Sequence, residues 1–151
     1  MSFKIFNTMS GNKEDFIPQK ENYVGMYVCG VTVYDYCHVG HARAAIVFDT
    51  MFRYFRYLGY EVNFIRNFTD IDDKIINRAN EKGVDWKEIT RKYTAAFYED
   101  MGKLNIASPT EEPKATDHIA EMLDMIQSLV DQDKAYESDG DVFYSIKSFK
   151  D

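Results

Sequence analysis

Apolar positions repeat along the middle of the chain with the period of an α-helix. Between Ala42 and Leu58 two apolar stripes share one predicted helix, and Gly59 follows as a stop signal. The first stripe consists of Ala45, Phe48, Phe52 and Phe55, and the second of Ala44, Val47, Met51, Tyr54 and Leu58. Two stripes predict a helix that is largely buried.

Runs rich in β-branched and aromatic residues flank this helix on both sides. A short strand in "FKIFNT" and a turn at Ser10-Gly11 precede a buried strand around residues 26–29, which ends at Gly30. After the helix, residues 60–68 have the composition of the next strand. A strand, a helix and a strand in this order predict two parallel strands joined by a right-handed crossover, and therefore an α/β fold.

The second half of the chain carries three further helical patterns and a hairpin. Thr69 and Asp72 have the spacing of a capping box, which predicts that Thr69 begins a helix running to about residue 81, with Gly83 ending it. Amphipathic patterns predict helices over residues 86–104 and 119–130. Asp139-Gly140 predicts a tight turn between two short strands.

Composition narrows the class of protein. The 151 residues are 45% hydrophobic with a formal net charge of −7, which favours a globular protein and argues against a general nucleic-acid coat protein. The N-terminus lacks an apolar signal region, and no run approaches the ~18 apolar residues of a membrane span, so we expect a cytoplasmic protein. Neither G-x-G-x-x-G nor G-x-x-x-x-G-K-[ST] occurs, which argues against a dinucleotide oxidoreductase and a P-loop enzyme.

Candidate chemistry is concentrated in "YVCGVTVYDYCHVGHAR", residues 27–43. A single metal site formed by Cys29, Cys37, His38 and His41 is disfavoured, because adjacent Cys37 and His38 do not easily reach one tetrahedral ion. The alternative is a nucleotide site, since His38 and His41 flank Gly40 at a strand-to-helix transition, where phosphate groups bind. A capped helix start with two solvated histidines explains the same string equally well.

Two longer motifs extend this pattern and carry a family resemblance. "CGVTVYDYCHVGHAR" followed by "NFTDIDDKI" resembles the N-terminal part of bacterial cysteinyl-tRNA synthetases, which are class I aminoacyl-tRNA synthetases, and residues 38–41 resemble their HIGH motif. The resemblance implies the first half of a Rossmann-like catalytic domain over residues 1–108, with parallel strands and crossover helices. It implies the start of a connective insertion over residues 109–151.

The resemblance also implies roles for individual residues. Cys29 would be one ligand of a zinc ion that binds the thiolate of the substrate cysteine, and His38, Gly40 and His41 would bind ATP, with both histidines catalytic. Residues implied to line the amino-acid pocket are Gly30, Thr32 and Thr69. The implied partners are L-cysteine, ATP with Mg²⁺, and tRNA(Cys).

Other parts of the implied enzyme would lie beyond Asp151, among them the remaining zinc ligands and the lysine-bearing KMSKS loop. We therefore expect the isolated chain to be inactive, because catalytic zinc takes about three protein ligands. Two alternatives stay open. One is a cysteine ligase of the mycothiol type, and the other is a non-catalytic fragment that binds an adenine nucleotide or a partner.

Several polar residues receive simpler interpretations. The acidic residues Asp70, Asp72 and Asp73 are expected to be solvated at a helix start rather than to bind Mg²⁺. Cys37 is expected to be structural and His118 to lie on the surface. Arg53, Arg56 and Arg66 are not distinguished from ordinary solvated charges, and the "NFT" at Asn67 is taken as a chance glycosylation sequon.

Overall fold

A computed structural model describes residues 3–149 as short strands alternating with helices. The strands are β1 (Lys4–Asn7), β2 (Asn12–Asp15), β3 (Tyr23–Val28), β4 (Glu61–Arg66), β5 (Ala135–Ser138) and β6 (Asp141–Tyr144). The α-helices are α1 (Val39–Tyr57), α2 (Asp73–Lys82), α3 (Trp86–Lys103) and α4 (Ile119–Asp131), with short 3-10 helices at Ala115–His118 and Ile146–Ser148.

Strands β3 and β4 pair in parallel, in register from Tyr23 opposite Glu61 to Val28 opposite Arg66. Helix α1 connects them, so the predicted parallel α/β arrangement is confirmed. Strand β3 is less buried than predicted, because only Val24 of its six residues is buried. Its other side carries no further strand within residues 3–149.

The other edge of β4 is covered by residues 110–115. Thr110 N donates to Phe64 O at 2.7 Å, Arg66 N donates to Glu111 O at 3.1 Å, and Phe68 N donates to Pro113 O at 2.9 Å. These bonds follow the parallel direction and supply the backbone partners that an edge strand would lack. Strand β4 is therefore hydrogen-bonded along both of its edges, by β3 on one side and by residues 110–115 on the other.

Helix α1 begins three residues before its predicted start and ends one residue before its predicted end. Its first stripe faces inward, with Phe52 and Phe55 buried. The second stripe is only partly covered, and Val47 is 50% exposed. The prediction of a largely buried helix was wrong for this stripe, because no element within residues 3–149 packs over it closely enough to bury it.

The main core lies where α2 and α3 pack over the chain following β3 and β4. Its buried residues are Val33, Phe68, Ile75, Ala79, Ile89, Tyr93, Phe97 and Met101. Phe68 packs edge-on against Phe97 at 5.4 Å between ring centroids. This core fixes the carboxyl end of β4 against α3.

The start of α2 differs from its prediction. Asp72, not Thr69, caps the helix, with its carboxylate accepting a hydrogen bond from Lys74 N. The backbone of Thr69 is occupied instead, since Thr69 N donates to Val31 O and Thr69 O accepts from Val33 N. Gly83 ends the helix in the left-handed conformation, as predicted. Thr69 thus extends the sheet rather than beginning the helix.

Asp70 is buried, contrary to the expectation that it would be solvated. Its carboxylate accepts hydrogen bonds from Thr116 N at 3.0 Å and from Thr116 Oγ1 at 2.6 Å. It therefore fixes the segment after α3 to the turn before α2. Asp73 remains exposed in the first turn of α2, as expected.

The C-terminal part consists of α4 and the hairpin of β5 and β6. The hairpin turns at Asp139 and Gly140, both with positive φ, which confirms the predicted turn. His118 is exposed just before α4, also as predicted. No helix among the described residues is long and apolar enough to cross a bilayer.

Candidate functional site

A cleft opens at the carboxyl ends of β3 and β4, beside the start of α1. Its volume is about 170 Å³. Apolar side chains form most of the wall, and the polar groups that face it come from Cys29, His41 and Arg66. Ligands of open parallel α/β sheets bind at this edge, where loops leave the strands.

The start of α1 is capped by two histidines whose rings accept hydrogen bonds from backbone N–H groups of the same turn. His38 Nδ1 accepts a hydrogen bond from Gly40 N at 3.0 Å, and His41 Nδ1 accepts one from His38 N at 3.2 Å. The two rings lie 4.0 Å apart between centroids. Because each Nδ1 accepts, each neutral imidazole carries its proton on Nε2, which leaves two outward hydrogen-bond donors.

The cap shifts the groups available to bind phosphate from the backbone N–H groups of the helix start to the imidazole Nε2–H groups. Gly40 N is bonded to the His38 ring, and His41 N and Ala42 N both donate to His38 O. The first backbone N–H groups of α1 are thus largely satisfied within the helix start. The capped-helix and nucleotide-site interpretations are compatible, because the cap occupies Nδ1 and leaves Nε2 free.

Burial and charge act together on His41. Desolvation, followed by the neighbouring His38, lowers the pKa of His41 below 6.5, because both disfavour the positively charged form of its ring. Gly40 is required beside them, since a Cβ at this position would lie 2.8 Å from Cε1 of His38. A side chain at residue 40 would therefore displace the ring that caps the helix.

Cys29 and Gly30 form the cleft edge at the end of β3. The Cys29 thiol is exposed to the cleft. Gly30 makes the closest backbone approach, because a Cβ there would lie 1.5 Å from the carbonyl oxygen of Asn67. Only glycine permits this contact between the two strand ends.

The predicted site residues do not all share one cavity. Cys29, Gly30, Gly40 and His41 line the cleft. His38 instead lines a neighbouring groove together with Cys37. Thr32 and Thr69 are half-buried and face each other in an isolated parallel bridge just beyond the cleft.

Cys37 does not line the cleft and makes no hydrogen bond to the histidine cap of α1. It is half-buried and packs against the main core. Burial, followed by the charge of Asp100, raises the pKa of the Cys37 thiol above 9.0, which makes it less reactive. Its environment agrees with a structural role.

The sequence interpretation missed Arg66, which is 7% exposed and forms part of the cleft wall. Its Nε donates to Glu112 Oε1 at 3.1 Å, and its guanidinium lies 4.9 Å from the centroid of Phe97. The sequence signal was the alternation of Phe64, Arg66 and Phe68 in β4 and just after it, since all three are buried on one face. Arg53 and Arg56, in contrast, are exposed on α1.

The expected metal can be tested against the donor groups. Among residues 3–149, no three Cys, His, Asp or Glu side chains lie close enough together to hold a metal ion. Cys29 offers one thiolate of the kind that zinc prefers, and a zinc site takes about four ligands in total. The described residues therefore fit one corner of such a site.

Comparisons with known proteins identify relatives in sequence and in fold. The chain is 56% identical over 149 residues to cysteine–tRNA ligases of Pelobacter propionicus and Trichlorobacter lovleyi, and these matches cover 99% of the chain. It spans only 30% and 31% of the length of these relatives. Among solved structures it resembles Mycobacterium tuberculosis methionyl-tRNA synthetase in complex with methionyl-adenylate. That match has a TM-score of 0.66 and 24% identity, and covers 76% of this chain and 22% of the other.

The family comparison covers nearly the whole chain. Residues 15–151 match the family described as tRNA synthetases class I (C) catalytic domain. The solved structure independently shows the same fold at low sequence identity. The chain therefore belongs to the class I tRNA synthetase (C) catalytic domain family.

Proposed function

We propose that this chain supplies the cysteine- and ATP-binding part of an ATP-dependent cysteine–tRNA ligase. The observation that carries the proposal is a single cleft lined both by the Cys29 thiol and by the histidine-capped start of α1. Similarity to cysteine–tRNA ligases over 99% of the chain supports the substrate. The methionyl-adenylate held by a relative of the same fold supports an aminoacyl-adenylate as the intermediate.

In the proposed reaction, a carboxylate oxygen of cysteine attacks the α-phosphorus of ATP, and the bond to pyrophosphate breaks. A hydroxyl of the terminal ribose of tRNA(Cys) then attacks the adenylate carbonyl, and AMP leaves. The Nε2–H groups of His38 and His41 would donate to phosphate oxygens as negative charge develops. Mg²⁺ would enter with ATP as its counterion.

The neutral state of His41 is part of this proposal. Its pKa lies below the ordinary value, so at neutral pH the ring has an N–H donor without a net charge. Its ring is oriented by the hydrogen bond that its Nδ1 accepts from His38 N. A fixed donor needs no reorganisation when the phosphoryl group reacts, which is the physical advantage of a capped helix start.

On the amino-acid side, Cys29 would hold one corner of a zinc ion. Zinc lowers the pKa of a coordinated thiol and prefers sulfur to a hydroxyl oxygen, so it would favour cysteine over serine. The N–H of Gly30 is already bonded to Asn67, so Gly30 can offer substrate only its carbonyl and its lack of a side chain. Thr32 and Thr69 are half-buried where their backbones pair beyond the cleft, and their hydroxyls would help to orient the amino acid.

The test uses the longest native product that contains this sequence. We expect cysteine-dependent ATP–pyrophosphate exchange, and almost none with serine. Cys29→Ala should abolish exchange and reduce bound zinc, whereas Cys37→Ala, the matched control, should retain both. Equal loss in the two variants would contradict the role given to Cys29.

A second assay identifies the acceptor. We expect the protein to charge tRNA(Cys) with labelled cysteine. The proposed location is the cytoplasm, where tRNA is used. Exchange without tRNA charging, together with transfer to a sugar amine, would instead indicate the mycothiol-type ligase. Binding of ATP without any cysteine-dependent exchange would indicate a non-catalytic nucleotide-binding fragment.

A further inference from the structure

We propose that Asn67 is a positioning residue that orients Cys29 and the adjoining amino-acid pocket. This inference rests on the proposed function, because it assigns Cys29 to recognition of cysteine. It concerns a side chain that the family motif contains and that the sequence interpretation treated only as part of a chance sequon. The contacts of Asn67 with the strand end carry the inference.

The first observation is a change of register between the two strand ends. Val28 lies opposite Arg66, and the next bridge joins Thr32 to Thr69. Residues 29–31 on one side therefore stand opposite only residues 67 and 68 on the other. This is a bulge, and bulges re-aim side chains, often next to active sites.

The second observation is that one oxygen atom bonds both flanks of Cys29. Asn67 Oδ1 accepts a hydrogen bond from Gly30 N at 2.8 Å and another from Tyr27 Oη at 3.0 Å. The residue after Cys29 and the residue two before it are thus attached to the same side chain. Rotation of the Cys29 backbone, which would swing its thiol out of the cleft, would break at least one of these bonds.

The third observation is steric. The backbone carbonyl of Asn67 fills the space where a Cβ of Gly30 would lie. Asn67 therefore stabilises the bulge in two ways, through the contact of its backbone carbonyl and through the hydrogen bonds of its side chain. The Oδ1 atom compensates for the ladder bond that the bulge interrupts, since Gly30 N has no backbone partner within residues 3–149.

The experiment compares Asn67→Ala with Asn63→Ala in the longest native product. Asn63 in β4, four residues earlier, is a matched control, because its buried Oδ1 has no hydrogen-bond partner and its removal breaks no such bond. Loss of the bond to the half-buried N–H of Gly30 should raise KM for cysteine about tenfold, which corresponds to about 1.4 kcal/mol for an unsatisfied donor. KM for ATP should stay within about twofold, because His38 and His41 are held by their own bonds.

A second readout follows the Gly30 amide by hydrogen exchange and does not depend on activity. Asn67→Ala should speed its exchange about tenfold. Asn67→Asp, which keeps the accepting oxygen, should restore protection. If Asn67→Ala does not fold cooperatively, Asn67→Ser provides the same comparison, because its hydroxyl is too short to replace Oδ1.

Equal increases in both KM values, or an unchanged Gly30 exchange rate, would overturn the positioning role. Failure of Asn67→Asp to protect the amide would overturn it as well. The two proposals fail separately. An unmodified protein without cysteine-dependent exchange would refute the proposed function, whereas the Gly30 amide still reports whether Asn67 holds the bulge.

Discussion

Replacement of Gly30 by alanine tests the closest backbone contact of the site. The new Cβ would lie 1.5 Å from Asn67 O, whereas ordinary contacts begin at 3.4 Å, so the strand ends must separate by about 2 Å. Such overpacking costs about 1–3 kcal/mol, and loss of the Gly30 N bond to Asn67 adds about 1 kcal/mol. We expect a total destabilisation of about 3 kcal/mol.

Urea unfolding followed by circular dichroism measures this change. With an m-value of about 2 kcal/mol/M, the midpoint should fall by about 1.5 M. Gly102→Ala is the matched control, because its Cβ would meet no atom within 4 Å on helix α3. That substitution should stabilise the protein by about 0.5–1 kcal/mol through helix propensity.

The double variant Gly30→Ala with Asn67→Ala separates the two causes. Because the clash is with a backbone oxygen, shortening the Asn67 side chain should not relieve it. Full recovery of stability in the double variant would refute the steric explanation. A Gly30→Ala protein that unfolds within about 0.5 kcal/mol of the original would refute the close approach itself.

Three further predictions concern charged and titrating groups. Glu112→Gln leaves Arg66 buried without a counterion and should cost about 3 kcal/mol in urea unfolding. Burial and then Glu112 raise the pKa of Tyr98 to about 12. The unfolded chain therefore loses this proton at lower pH than the folded chain, and the free energy of unfolding should fall as pH rises from 10 towards 12. Tyr98→Phe should reduce this fall, as measured by urea unfolding at a series of pH values. The pKa of His41 is lowered in the folded protein, so the contribution of His41 to stability is present above pH 6.5 and is lost as pH falls through its folded pKa. His38→Gln should raise the pKa of His41, which NMR titration measures.

The Glu112→Gln prediction has a control in the same molecule. Lys103→Gln breaks an exposed ion pair with Glu99 and should leave unfolding unchanged, unlike Glu112→Gln. A Tyr98→Phe protein with the same alkaline slope as the original, or a His41 pKa that does not respond to His38→Gln, would contradict the assigned causes.

Local signals in the sequence predicted most elements of the fold. The periods of apolar residues predicted α1, α3 and α4 to within a few residues, and Asp139-Gly140 predicted the hairpin turn. The motif around His38 and His41 predicted the start of α1 as a candidate site. These features depend on neighbours within a few positions, so the sequence alone contains the information.

The tertiary structure decided which of these residues share an environment. Thr69 has the spacing of a helix cap, but pairing with Val31 and Val33 draws its backbone into the sheet, and Asp72 caps the helix instead. Arg66 is buried because Glu112, 46 positions later, neutralises it.

Asn67 acquires a role only because Gly30 lies against it across the bulge. The sequence by itself therefore determined the helices, the turns and the candidate motif. Only contacts between distant segments decided which polar groups face the cleft, because burial and counterions depend on chain packing and not on local pattern.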